Sequence, residues 1–446
     1  MPVQPVDLSA LLGCVHRALI GPASAGREAA ALVERTCVTG SLGRCTYAVG
    51  CEATGLVLFL NIDLQFSPDE TLQALEALAA ALRSGLACDG WSFELHIADA
   101  ECRGGLWATL HCRPRKSEDA SAAGHDVALQ LFLAENMTNS VRPRQAGARE
   151  ETAGAGDAAA AASGDGPGKG LLGMGPVVEH KALLQQENLV AAAAQRARRD
   201  ARHQARHGGA VTAAAPAAAW VAKLGCGVAE ARCVFWSRQP EAALRAACAA
   251  HRAWNLVVEK DLGQDRGGQS AAAAPGGSGD DKEAGDGSGG AGLVLWSDEI
   301  LHLVDVLALH AYREAHAQAQ PAPAEEGPTR QSSASSQEGA VVSRLFGILS
   351  TDYANSTTGL RVEMEGGLLA SRGGSAEAPA GAVNAGREVA GDGERRLVVL
   401  DPCFPVQDLY AAACEAVGQG EGAEAGQRRL QRLAAAAAAA VAVARG

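Results

Sequence analysis

Aromatic side chains are scarce in this 446-residue chain: Phe, Trp and Tyr together make up 4 % of it. Long runs of alanine carry much of the nominal 47 % hydrophobic content, and alanine buries little surface per residue. Length alone would allow roughly two or three domains. The thin apolar supply points instead to about two lobes enlarged by inserts without cores. A basic excess is missing as well. The formal net charge of −12 argues against a surface wrapped in nucleic acid, because phosphate binding draws on Lys and Arg; a local basic patch stays compatible with it.

Other signals are absent too. The twelve cysteines, from Cys14 to Cys414, include no CxxC and no His-rich spacing, which supports neither a zinc module nor a stapled secreted scaffold. Buried free thiols in a reducing compartment are the expectation. The start, MPVQPVDLSALLGCVHRALIG, lacks a basic segment followed by an apolar one. No stretch reaches the ~18 continuous apolar residues of a membrane span, and the closing LAAAAAAAVAVA is too short and too weakly apolar. These features predict a soluble cytoplasmic or nuclear chain without a membrane partner.

What is present begins with strands and helices in alternation. Residues 7–32 have apolar spacing suited to a pair of helices. GLVLFLNIDLQF is β-rich, and SPDETLQALEALAAALRSG follows with Ser67 as N-cap, Pro68 at the first helical position and acids in the first turn. GWSFELHIADA, GGLWATLHCR and DVALQLFLAEN read as three further strands. From about Val141 the pattern fades into RQAGAREETAGAGDAAAAASGDGPGKG, without apolar periodicity. A short helical stretch around Leu183 to Val190 precedes a cluster of Arg196, Arg198, Arg199, Arg202 and Arg206. Ordered pieces then return as VFWSRQPEAALRAACAAHRAWNLVVEK and LVLWSDEILHLVDVLALHAYREAHA, read as two long helices, then VVSRLFGILSTDY and RRLVVLDPCFPVQDLYAAACEAV. On the second helix Ile300, Leu303, Val304 and Leu307 share one face, with Ser297 and Glu299 as cap chemistry.

The division is therefore a strand-rich region 1–145, a low-complexity and basic insert 146–220, a helix-rich region 221–417 and an Ala-rich tail 418–446. The helix-rich region is interrupted by disordered inserts at about 263–292, 318–339 and 371–393. The fold class expected is α+β, with a small mixed sheet and a helical lobe.

The stretch VTGSLGRCTYAVGCEATGLVLFL carries the chemistry. A Gly-Ser turn opening a helix exposes backbone amides beside a hydroxyl, a seat for a triphosphate. A strand follows, and two carboxylates at i and i+2 of such a strand share a face and can hold two metal ions. The region GSLGRCTYAVGCEATGLVLFLNIDLQFSPDETLQALEAL resembles the signature of the 2′-5′-oligoadenylate synthetases, polymerase-β-like nucleotidyltransferases related to cyclic GMP-AMP synthase. RQPEAALRAACAAHRAW, EILHLVDVLALHAYRE and RRLVVLDPCFP are similar to three later segments of that family, in the same order. The resemblance covers about half of the chain, outside the inserts.

The resemblance implies a nucleotidyltransferase-like lobe over 1–145 and a helical lobe over 221–417, with a nucleotide cleft between them. It implies a phosphate seat at Gly40, Ser41 and Arg44, and a donor-triphosphate contact at Arg252. The first metal-binding acid falls on Glu52; the second falls on Thr54 or Gly55, and the third on Gln130, none of which is a carboxylate. A family arginine falls on Ala249, a glutamine near Leu301, and a structural element on Asp401 and Pro402. Two Mg2+ ions normally offset by three carboxylates would be held poorly by Glu52 alone, and lost metal positioning costs orders of magnitude in rate.

Asp63 reads as a strand-end residue, and Asp126, Glu94 and Glu135 lie near the third-acid strand in the wrong register. The expectation is a pseudoenzyme of that family that binds ATP or double-stranded RNA. An active Mg2+-dependent transferase and a non-catalytic scaffold are the alternatives. The Arg196–Arg206 cluster reads as a solvated linker helix, with an RNA contact as its functional alternative. Trp236, Trp254 and Trp296 read as core anchors, and His251 as a surface helix residue.

Overall fold

The computed structural model describes residues 8–20, 33–47, 54–60, 76–83, 91–97, 107–114, 127–136, 176–207, 226–270, 298–319, 334–353, 359–364, 396–418 and 422–443. They form an α+β structure, mostly helical, with a small mixed sheet.

Helix α1 (Leu8–Ile20) leads to strand β1 (Val33–Thr39), a single helical turn α2 (Gly40–Gly43) and strand β2 (Thr54–Leu60). Helix α3 spans 76–83. Strands β3 (Trp91–Ile97), β4 (Trp107–Pro114) and β5 (Val127–Glu135) complete a five-stranded sheet in the order β1-β2-β5-β4-β3. All four pairings are antiparallel except β2 with β5, which run parallel. An unbroken apolar run suits a strand covered on both faces; Leu56 to Leu60 are accordingly all buried in the centre of the sheet. The three strands expected from Gly90 onward are all present. The second helix of the pair expected over 7–32, Ser67, Pro68 and Asp63 lie outside the described residues.

Helix α4 (Pro176–His207) occupies the region expected to be an uncored insert. Ala182, Gln185, Gln186, Leu189, Val190 and Ala193 form a buried stripe at helical spacing, packed on helix α5 (Ala229–Ser237). The helix expected around Leu183 to Val190 is thus much longer, and the Arg196–Arg206 cluster lies on its second half. The single helix expected from Val234 to Lys260 is two. Proline cannot continue a helix interior, so the chain turns at Ser237–Pro240 and helix α6 (Glu241–Ser270) starts afresh, Ala243 N–H donating to the Pro240 carbonyl at 2.9 Å.

Helices α7 (Asp298–Ala319) and α8 (Ala334–Ser350), the two-stranded parallel pair β6 (Leu360–Val362) and β7 (Leu397–Val399), and helices α9 (Leu409–Gly418) and α10 (Ala423–Val443) build the rest. The inserts are shorter than expected: α6 runs to Ser270, α7 to Ala319, and α8 begins at Ala334. The Ala-rich tail is also part of the fold. Leu430, Leu433, Ala434 and Ala437 are buried on one face of α10, which packs on α6, α8 and α9. Trp254 stacks on Phe346 with ring centroids 6.4 Å apart, and Trp236 is equally buried, so both are core anchors. Trp296 lies outside the described residues.

Candidate functional site

The Gly-Ser turn follows β1 directly. Gly40 has φ of 73°, a left-handed value that a Cβ disfavours. Arg44 N–H donates to the Gly40 carbonyl at 3.1 Å and Thr46 N–H to the Ser41 carbonyl at 2.9 Å, closing the turn. A Cβ on Gly43 would meet the Val38 carbonyl oxygen at 2.5 Å, so the turn folds back tightly on β1. Cys45 leaves it with φ of 62°, unusual for a residue with a side chain.

The sequence places Arg44 with the phosphate seat. The structure instead buries it, 1 % exposed, between the turn and α7. Its Nε donates to Asp305 Oδ2 at 2.6 Å and its Nη1 to Asp298 Oδ1 at 2.7 Å. Burial opposes the charge on Arg44, but the two carboxylates outweigh it and hold the guanidinium more firmly protonated than usual. Thr46 Oγ1 also donates to Asp305 Oδ2, at 3.0 Å, and His251 Nε2 of α6 lies 2.9 Å from Asp305 Oδ1. Burial alone would raise the Asp305 carboxyl; His251 and Arg44 bring it below the ordinary value. His251, expected on the surface, is fully buried as part of this cluster.

A second buried pair lies further along the same junction. Arg232 of α5 donates through Nε and Nη2 to Asp401 Oδ2 at 2.9 and 2.5 Å. The other Asp401 oxygen accepts the backbone N–H groups of Cys403 and Phe404 at 2.8 and 3.2 Å. Asp401 is thus a loop-holding residue. His302 lies beside it, Nδ1 3.9 Å from Asp401 Oδ2 and its ring edge-on to Trp236. Burial and the nearby Arg44 and Arg232 push its pKa well below the usual histidine value. On the outer side, Arg35 of β1 bonds Glu230 of α5 at 2.8 Å and the Asn136 side chain, with its guanidinium 4.2 Å from the Phe59 ring centre.

The remaining candidates fall as follows. Glu52 lies outside the described residues, as do Asp63 and Asp126. Thr54 opens β2, and the parallel register sets Thr54 beside Leu129 and Gly55 beside Gln130. The strand positions onto which the resemblance maps the second and third acids are therefore neighbours in the sheet. Arg252 is exposed on α6, one residue from buried His251, and Ala249 packs half-buried against the helical core. Gly40 and Ser41 are buried, and the Ser41 hydroxyl has no hydrogen-bond partner among the described residues.

Asp298 and Asp305 escaped the sequence reading. Residues Ile300 to Leu309 of α7 are all buried, and an acid inside such a run is rare unless paired. Asp305, the acid inside the buried Ile300–Leu309 run, was the available signal; its partner, some 260 positions earlier in the chain, carried none.

A narrow pocket of about 50 Å3 opens between Thr39, Val57 and Phe132 of the sheet and Arg232, Asp298 and His302 of the helical part. At ~10–15 Å3 per water it has room for a few waters. Among the described residues no group of three or more His, Cys, Asp or Glu side chains could hold a metal ion, and no helix is long and apolar enough to cross a membrane. Compared with protein-family models and with curated proteins, the chain matches none of them significantly.

Proposed function

We propose that this chain is a divergent oligoadenylate-synthetase-like protein of nucleotidyltransferase fold, in which catalysis is weak or lost and nucleotide or double-stranded RNA binding persists. The observation that carries the reading is the pairing of Gly55 with Gln130 in the parallel strands β2 and β5, β2 being the next described strand after the Gly-Ser turn. Two-metal chemistry asks for carboxylates from neighbouring strands there. This chain offers Thr54 or Gly55 and Gln130, leaving Glu52 as the acid inherited from the family pattern. Mg2+ would be held by Glu52 if the chain were active, supplying charge neutralisation at the reacting phosphate.

The acids on α7 do not restore the set. Asp298 and Asp305 approach the turn, but both are engaged by Arg44. A metal ion there would have to displace a buried guanidinium from two charge-assisted bonds.

Incubation of the full chain with labelled ATP, Mg2+ and double-stranded RNA tests the proposal. The expected result is no oligomeric product above that of a Glu52→Ala variant, with ATP or RNA retained in equilibrium dialysis. Oligomers that vanish in Glu52→Ala would establish the active transferase and refute the reading.

One observation favours a second reading, a scaffold that keeps the fold as a platform. Ser41, the phosphate-contacting serine of the resemblance, is completely buried beneath α7 and its neighbours. Absence of both ATP and RNA binding in the same dialysis would favour that scaffold.

A further inference from the structure

We propose that Cys37 and Cys233 form a redox modification site, a dithiol that oxidises to a disulfide tying the sheet to the helical part of the molecule. Cys37 sits on β1 and Cys233 on α5, 196 positions apart, with their sulfurs 3.9 Å from each other and both buried. Each thiol also reaches the same acceptor, the Val38 carbonyl, at 3.4 and 3.1 Å. The two side chains are thus already turned toward one point, and closing to a bond of about 2.05 Å requires an approach of about 2 Å, within reach of side-chain rotation and small shifts. Gly43 helps to make the space: a Cβ there would lie 3.2 Å from the Cys233 sulfur.

The chemistry is thiol–disulfide exchange with a small disulfide such as oxidised glutathione. Two S–H bonds and the oxidant's S–S bond break, the Cys37–Cys233 bond forms, and two electrons and two protons leave with the oxidant as two thiols. Thiolate character does not select another partner nearby. Burial pushes half-buried Cys45 up to about 11 and Cys226 up to about 12, so proximity decides the pairing. The hydrogen bond from Cys233 and burial raise Cys37 as well, which makes oxidation slow and not absent. The product is a covalent clamp at the base of the Gly40 turn, independent of whether a nucleotide binds there.

Trypsin separates this pair cleanly, since Thr36–Arg44 contains Cys37 alone and Cys233–Arg238 contains Cys233 alone. The native full chain is incubated with oxidised glutathione, alkylated, digested without reductant and weighed. The expected product is the two peptides joined, about 2 Da lighter than their sum, together with an upward shift of the melting temperature that dithiothreitol reverses. In a Cys233→Ser variant that shift disappears and Cys37 alkylates freely on unfolding. Linkage of either cysteine to a different thiol, or recovery of both as alkylated peptides after prolonged oxidation, would overturn the proposal. The wild-type peptide map decides this even where the variant folds poorly.

Discussion

Replacing Asp305 with Asn keeps the side chain's shape and removes its charge where the sheet, the Gly-Ser turn and three helices meet. Asp305 is fully buried and receives Arg44 Nε at 2.6 Å and Thr46 Oγ1 at 3.0 Å, with His251 Nε2 at 2.9 Å. A unit charge pair about 4 Å apart at an effective dielectric near 20 is worth about 4 kcal/mol. Removing one partner of a buried pair costs about 3–5 kcal/mol, because the survivor stays desolvated. Asp298 still neutralises part of the Arg44 charge from its half-buried position, so the lower end, about 3 kcal/mol, is the expected loss. With roughly 2–4 °C per kcal/mol for a structure of this size, the melting temperature falls by about 10 °C. Urea unfolding followed by Trp fluorescence and by far-UV circular dichroism measures it. The folded carboxyl titrates below its ordinary value, so the stabilisation is complete above pH ~4 and is lost as pH falls through the lower folded value. The deficit of the variant is therefore constant near neutrality. A double variant, Arg44→Met with Asp305→Leu, removes both charges and recovers much of the loss. A single-variant loss below about 0.5 kcal/mol, or a double variant merely additive, would refute the reasoning.

Other perturbations follow from the same packing. A Cβ on Gly426 would sit 1.8 Å from the Cys414 carbonyl oxygen, so Gly426→Ala forces α10 off α9 and lowers stability by about 3 kcal/mol or more, read as a drop in the urea midpoint. Asp408 accepts the backbone N–H groups of Tyr410 and Ala411 at 3.1 and 3.3 Å, capping α9; Asp408→Ala costs about 1 kcal/mol in the same assay. His302 is neutral in the fold with its pKa pushed far down, so its contribution is present above pH ~6.5 and declines below it, by up to about 1.4 kcal/mol per pH unit. Melting curves of wild type and His302→Gln between pH 7 and 5 show the slope and its loss; parallel slopes would exclude His302 as the source.

Where local chemistry dominates, the sequence was sufficient. The apolar run Leu56–Leu60 forms a buried central strand, and Trp236 and Trp254 anchor the helical core. Long-range and compositional features misled. Alanine stretches read as tail or insert because each residue contributes little apolar area, yet α10 gains its place by close approach, with glycine and alanine letting its backbone lie on α9. The α4 stripe depends on apolar residues interleaved with Gln185 and Gln186, both buried, so its pattern was diluted by polar letters. Pro240 was visible throughout, and its helix-breaking role follows from its ring alone. The candidate site was legible as a turn and a strand, since Gly40, Ser41 and the β2 run lie close together in the sequence. Its electrostatics were not, because Arg44 finds its partners some 254 and 261 positions away and no local spacing encodes such a pairing.

That pairing bears on whether the neighbourhood of the turn could be made to hold metal ions. A two-metal site needs a surplus of negative charge before the metals arrive. Beside the turn Arg44 faces Asp298 and Asp305, with His251 on the far side of Asp305, and Arg232 and Glu299 line the adjacent pocket. The two α7 carboxylates nearest the turn, Asp298 and Asp305, are both engaged by Arg44. Introducing acids on the strands, as in Gly55→Asp with Gln130→Asp, would place two new carboxylates side by side in parallel strands. In the absence of metal the repulsion raises one of their pKa values and destabilises the sheet; Mg2+ reverses both effects. The doubly substituted chain is therefore expected to gain a Mg2+-dependent rise in melting temperature that the natural chain lacks, and equal responses of the two would show that the strand positions do not form a metal site.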